Sequence, residues 1–237
     1  FQCKFLQLVN RAFWQLERMF TSAPPLSETD NSISLFIDLS NAFDLVNHGI
    51  LLSKLDNIGK RGVAIEWFQS YLTSRKQMVE IIYRNELTNE INNHSSEELP
   101  IEYGVPQGSI LGPILFFIYV NDLGSKITHA KSTFFADDTS ILIRDHAVNN
   151  INIHLRIKET INQLPDWFNQ NQLIINKEET VAISFHHIQN KNYECPSIKL
   201  DNHEIQNKQH SKFLGVWIDE NLKWFTHTHT YRIYPKD

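Results

Sequence analysis

Two adjacent aspartates, Asp137 and Asp138, interrupt an otherwise apolar stretch, Thr133-Phe-Phe-Ala-Asp-Asp-Thr-Ser-Ile-Leu-Ile143. Such a stretch buries both halves only by folding back on itself, so it predicts a β-hairpin with Asp137-Asp138 at its tip. Neighbouring like charges repel by about 1 kcal/mol at 4 Å in water and by about 4 kcal/mol at an effective dielectric of 20. Either the pair is a solvated polar turn, or something cationic compensates it. Asp38 meets a related constraint. It sits near the end of Ile33-Ser-Leu-Phe-Ile-Asp-Leu39, which reads as a buried strand. An ionised carboxylate among such neighbours is costly unless it is paired or faces an open surface. Hard oxygen ligands at strand ends suit Mg²⁺.

The rest of the chain supplies elements for this pair of strands to pack against. Apolar residues at helical spacing (Phe5, Leu8, Val9, Ala12, Phe13, Leu16, Met19, Phe20) predict a helix over 5–20, ended by Pro24-Pro25. A helix opening with Asp44 as its N-cap and running to Ile58, before Gly59, comes next. A second helix spans 62–73, with Ile65, Phe68, Tyr71 and Leu72 on one face. Gln77–Tyr83 reads as a strand and 84–100 as a polar loop. Gly104–Pro113 is a glycine- and proline-rich turn leading into an apolar helix with Ile114, Leu115, Ile118 and Tyr119. A helix over 149–171 carries Ile157, Ile161, Leu164 and Phe168 inward, with a kink or break expected at Pro165. Strands at 172–176, 180–185 and 213–218 follow. The order is α+β, and a split βαβ arrangement would set the Asp38 strand beside the Asp137-Asp138 hairpin.

Composition narrows the class. Of 237 residues, 41% are hydrophobic and 21% charged, which excludes wholesale disorder. No stretch approaches the ~18 apolar residues of a membrane span. Phe1-Gln2-Cys3-Lys4 has no signal-peptide pattern, so an intracellular protein (nucleus or cytoplasm) or a truncated start is expected. Cys3 and Cys195 form neither a disulfide framework nor a zinc spacing. His227 and His229 read as part of a solvated tail, since two ligands fall short of a metal site. Asn93-His94-Ser95 matches a glycosylation sequon but has no sign of secretion beside it. Lys and Arg total 22 against 27 Asp and Glu, a net charge of −5. That argues against a whole-surface polyanion binder and leaves room for a local basic groove.

Three ordered motifs, Phe36-Ile-Asp-Leu-Ser-Asn-Ala-Phe-Asp44, Gly104-Val-Pro-Gln-Gly-Ser-Ile-Leu-Gly-Pro113 and Phe135-Ala-Asp-Asp138, resemble those of reverse transcriptases. The resemblance is to retrotransposons without long terminal repeats (LINE-like, jockey-like elements). Supporting stretches are Asp44-Leu-Val-Asn-His48 through Leu51-Leu52, Trp67–Gln77 and Phe213-Leu-Gly-Val216, so the likeness covers about 5–224. It implies an RNA-directed DNA polymerase with a palm of split βαβ, RRM-like antiparallel sheet packed on helices, partial fingers and no thumb. Residues 1–237 would then be a partial reverse transcriptase domain: leading helix and loop (1–32), catalytic palm core with finger elements (33–143), remaining palm (144–224) and tail (225–237). Asp38, Asp137 and Asp138 would bind two Mg²⁺ ions, with Mn²⁺ a substitute. Phe43 would be a steric gate against a ribose 2′-hydroxyl, Gln107 and Gly108 would lie against the incoming base pair, and Phe213, Leu214 and Gly215 would form a primer-grip strand. Partners would be an RNA template, a DNA primer and deoxynucleotide triphosphates.

Blander readings stand beside these. Phe43 fits a core aromatic, Pro106-Gln107-Gly108 an ordinary turn, and Phe213–Gly215 a core strand with a bend. Asp44 fits a helix cap better than a metal ligand. Arg75 and Lys76 fit either template phosphates or an exposed helix end. The chain also departs from the family pattern. In Leu173-Ile-Ile-Asn-Lys-Glu-Glu-Thr180, Glu179 occupies the usual lysine position and Lys177 is out of register. By the resemblance, nothing in the stretch upstream of the first helix is expected to correspond to the family's basic fingers, and nothing downstream of Trp224 to its thumb. An alternative is therefore a catalytically inactive retroelement remnant that folds or binds RNA without polymerising. A two-metal phosphohydrolase is a smaller residual, lacking further ligands at suitable spacing.

Overall fold

The structure, a computed structural model, describes residues 32–84, 89–144, 153–185 and 197–222. The helix expected over 5–20, both cysteines and the His227–His229 tail lie outside them. In chain order the elements begin with β1 (Ser32–Ser40), α1 (His48–Asn57), α2 (Val63–Leu72), β2 (Lys76–Gln77), β3 (Glu80–Arg84), β4 (Ile91–Ser95) and β5 (Leu99–Pro100). Next come α3 (Leu111–Val120), α4 (Leu123–Lys126), β6 (Ala130–Phe135), β7 (Asp138–Arg144), α5 (Ile153–Gln170) and β8 (Ile174–Phe185). The short strands β9 (Lys199–Leu200), β10 (His203–Glu204), β11 (Gln206–Asn207), β12 (His210–Phe213) and β13 (Val216–Asp219) complete the order. The chain divides into two compact units, one running to Ala42 and resuming at Val120, the other Phe43–Tyr119.

The first unit is built on a five-stranded sheet in the order β11-β8-β1-β7-β6. All neighbours are antiparallel except β11 on β8. The Asp38 strand thus lies beside the aspartate hairpin, as the split βαβ reading expects. β1 is central and covered on both sides, which explains its near-continuous apolar run. Ile33, Leu35 and Ile37 alternate with Ser34 and Phe36, and all are buried. On the Phe36 face, Leu142, Val181, Ile183 and Phe185 form a core with Phe213, Val216 and Ile218 of the β12–β13 hairpin. The Ser34 and Ser140 hydroxyls satisfy each other at 3.0 Å on buried strands, as buried polar groups must. Helix α5 buries Ile157, Ile161, Leu164, Trp167 and Phe168.

Several boundaries differ from expectation. The predicted strands at 172–176 and 180–185 are one strand, β8, interrupted by a bulge. The pairs Phe36↔Val181 and Asp38↔Asn176 leave residues 177–180 of β8 opposite the single residue Ile37. The gap left between the two expected strands is this bulge. Helix α5 continues through Pro165 without a break, because one missing backbone hydrogen bond is outweighed by a long buried face. The 213–218 stretch is not one strand: Leu214 and Gly215, at φ 53° and 79°, turn the chain between β12 and β13.

In the second unit, α1 begins at His48, not at Asp44. Its N-cap is Asn47, whose side chain accepts from the Ile50 N–H at 3.0 Å. Asp44 lies three residues earlier, in a turn, and its carboxylate is engaged elsewhere. Leu72 is the fully buried anchor of α2. The Gln77–Tyr83 strand is two pieces, β2 and β3, and the supposed loop after Tyr83 contains β4 and β5. β3 pairs β4 and β2 pairs β5. β4 escaped notice because Ile91-Asn-Asn-His-Ser95 has no apolar alternation; its strand is exposed and held by the ladder, by Tyr83 stacking on His94 and by Asn93 donating to Glu80.

Candidate active site

The three expected carboxylates belong to one unit and one end of one sheet. β1 and β7 pair in register through Ile37↔Thr139, so Asp38 and Asp138 take the next facing positions. Facing residues of an antiparallel pair project to the same side, here the side of Phe36 and Leu142. Asp137 precedes Asp138 in the two-residue loop Ala136-Asp137 that joins β6 to β7. Ala136 has φ 53°, a left-handed conformation that strains a residue with a Cβ. The hairpin tip is thus tightly specified.

The electrostatics agree with this convergence. The Asp138 carboxyl is pushed up from 3.8 to about 6, first by burial, then by the negative charges of Asp137 and Asp38. The donor set is all oxygen and all acidic, which fits a hard divalent cation. Among the described residues no group of three or more His, Cys, Asp or Glu stands close enough together to hold a metal as it is.

Two residues that the sequence reading had not assigned hold Asp38. Asn176 Nδ2 donates to Asp38 Oδ2 at 3.1 Å. The Thr180 hydroxyl accepts from the Asp38 N–H at 3.3 Å and donates to the Asn176 carbonyl at 2.7 Å. Both belong to the bulged stretch of β8. The signal was present as Asn176 and Thr180 bracketing a charged triplet, but only register shows what they face. Within that triplet, Lys177 pairs with Asp201 at 3.1 Å, and Glu179 is exposed. Phe213 packs its ring 4.9 Å from Phe36, two residues before Asp38, with Leu214-Gly215 at the corner.

Phe43, Gln107 and Gly108 belong to the second unit. Phe43 is half-buried, with its ring 4.9 Å from that of Phe116. The two motifs carrying Phe43 and Gln107 dock by their backbones. Val105 N–H donates to Phe43 O at 2.9 Å and Gly104 N–H to Val46 O at 2.8 Å. His48 Nε2 donates to Gly104 O at 2.7 Å. Gly104 has φ 88°, and a Cβ there would sit 3.0 Å from Asp44 Cα, so only glycine permits this approach. Asp44 is not the helix cap. It accepts from Gln107 Nε2 at 2.9 and 3.1 Å. A carboxylate can only accept, so this contact fixes which end of the Gln107 amide faces Asp44. Gly108 turns at φ 78°, and Ser109 closes the turn by donating to Pro106 O at 2.7 Å and accepting from Gly112 N–H at 2.9 Å. A cavity of about 600 Å³ beside this turn is lined by Asp44, Arg75, Gln77, Glu102 and Gln107 among others. Arg75 lies 5.9 Å from the Tyr71 ring and Lys76 pairs with Glu98 at 3.1 Å.

Comparison with known proteins adds to this geometry. Residues 11–218 match the family described as reverse transcriptase (RNA-dependent DNA polymerase). The RNA-directed DNA polymerase from mobile element jockey of Drosophila melanogaster is 26% identical over 224 residues, covering 90% of this chain and 22% of that protein. A probable RNA-directed DNA polymerase from transposon BS of the same species is 27% identical over 204 residues, covering 82% of this chain and 21% of that protein. The chain therefore spans about a fifth of the length of these relatives. Among solved structures, apo telomerase from Candida tropicalis truncated from its C-terminal domain aligns with a TM-score of 0.49 at 15% identity, covering 91% of this chain and 37% of that one.

Proposed function

The chain belongs to the reverse transcriptase family, and from that premise we propose that it is the palm-centred core of a retrotransposon RNA-directed DNA polymerase. In this reading it joins deoxynucleotides to a DNA primer on an RNA template. The observation that carries it is the facing placement of Asp38 and Asp138 at the end of the β1–β7 ladder, with Asp137 adjacent. These three side chains would hold two Mg²⁺ ions. Ions held there would supply charge neutralisation for phosphoryl transfer.

The other residues bind and orient. The Phe43 ring, backed by Phe116, is a rigid wall suited to excluding a ribose 2′-hydroxyl. The Pro106–Ser109 turn, closed by Ser109 and steadied by Asp44, presents Gln107 and the Cβ-free Gly108 to a base pair. The Leu214-Gly215 corner, anchored by Phe213 on Phe36, offers a fixed ledge for a primer end. Fixed placement of this kind is where phosphoryl-transfer rate enhancement comes from.

The test is extension of a DNA primer on an RNA template, using the chain with flanking polymerase segments restored and Mg²⁺ or Mn²⁺ supplied. Asp138→Asn should reduce extension by about 100–1,000-fold, as expected when a principal electrostatic group is lost. Undiminished extension in that variant would remove the catalytic assignment. A wild-type protein that binds RNA but extends nothing would favour the inactive remnant, in line with Glu179 at the usual lysine position and Lys177 tied to Asp201.

A further inference from the structure

We propose that Asn176 and Thr180 are positioning residues that set the direction of the Asp38 carboxylate, and that the β8 bulge exists to place them. The inference rests on the reading of Asp38 as a metal-binding carboxylate. Its basis is a mismatch of register. One residue of β1, Ile37, stands opposite four of β8, and pairing resumes at Asp38↔Asn176. A bulge of this kind disrupts the ladder locally and re-aims the side chains beside it. The Asp38 N–H would ordinarily bond a backbone carbonyl of the neighbouring strand; here it bonds the Thr180 hydroxyl at 3.3 Å. The same hydroxyl donates to the Asn176 carbonyl four residues back, at 2.7 Å, and so closes the bulge. Thr180 is 2% exposed, which leaves its hydroxyl no solvent to turn to.

The closed bulge then delivers Asn176 to the carboxylate. Its amide donates to one oxygen, Asp38 Oδ2, at 3.1 Å. One donor on one oxygen restricts rotation about the carboxylate and leaves the other oxygen's lone pairs outside this contact. A ligating carboxylate with its orientation fixed binds an ion without first losing rotamer freedom, and outer hydrogen-bond partners of this type are worth about 10–100-fold in metal affinity.

The experiment uses the full chain and Mn²⁺ as the probe, following the loss of the free-ion paramagnetic resonance signal, with thermal melts run alongside. Asn176→Leu and Thr180→Val remove the donor and the hydroxyl at nearly constant volume. Each should weaken Mn²⁺ binding by about tenfold or more, whereas Thr180→Ser, which keeps the hydroxyl, should stay near wild type. Asp38→Asn is the reference for loss of the ligand itself. If Asp38→Asn abolishes binding while both clamp variants bind as wild type does, the positioning role is overturned and the metal reading stands. If Asp38→Asn binds Mn²⁺ unchanged, or the wild-type chain binds none, the metal reading falls and the positioning role with it.

Discussion

Asp138 carries a cost that the fold tolerates at one hairpin tip. Its carboxyl, raised from 3.8 to about 6, holds its proton more tightly folded than unfolded. Between those two values the native state binds more protons, so stability declines as pH rises through that window and levels off above about 6. The loss is present at neutral pH and absent near pH 4. Because the group is partly solvated, screening reduces it to about 1 kcal/mol. Asp138→Asn should therefore raise the melting temperature at pH 7 by about 2–4 °C without added metal, and by little at pH 4. Melts of both proteins at the two pH values check this; equal gains at both would contradict it. The three acids stood out in the sequence because charge in apolar strands needs a reason, and strand register sets them at one end of the sheet. Asp44 was legible as an acid but not as the partner of Gln107, since their 63-residue separation is bridged only by the docking of Gly104 on Phe43 and Asp44.

At the scale of elements, the β12–β13 hairpin closes one face of the main sheet. It covers the Phe36 face through Phe213, Val216 and Ile218. Phe213→Ala should cost about 3–5 kcal/mol, the usual range for a buried phenylalanine. Urea unfolding would register it as a lower midpoint, and a change under about 1 kcal/mol would mean that the ring is not part of the core. A single strand was expected here because Phe213, Val216 and Ile218 are apolar; the turn depended on Leu214 and Gly215 both adopting positive φ, which leucine disguises. Helices α2 and α3 were readable from apolar spacing and from the turn before Leu111. The β4 and β5 strands were not, because an exposed polar strand is defined by its partner's backbone rather than by its own side chains.

At the scale of the whole molecule, the α+β order was legible in the apolar patterning, and a split βαβ arrangement set the Asp38 strand beside the aspartate hairpin, where β1 and β7 do pair. The split into units at Ala42/Phe43 and Tyr119/Val120 was not legible, because no composition shift marks it. The bulge gives β8 two mechanical lives. Residues 181–185 are stitched into the core with Phe36 and Phe213, while 174–176 pair with 38–40 beyond the four-residue bulge and carry Asn176 to Asp38. Amide hydrogen exchange should divide this one strand, with 181–185 protected to the depth of global unfolding and 174–176 opening locally at lower free energy. Uniform protection along 174–185 would contradict that division. One strand thus does two separate jobs, walling off the oily interior with one half and steadying a single acid with the other, so a change made in either half can be told apart from a change in its neighbour.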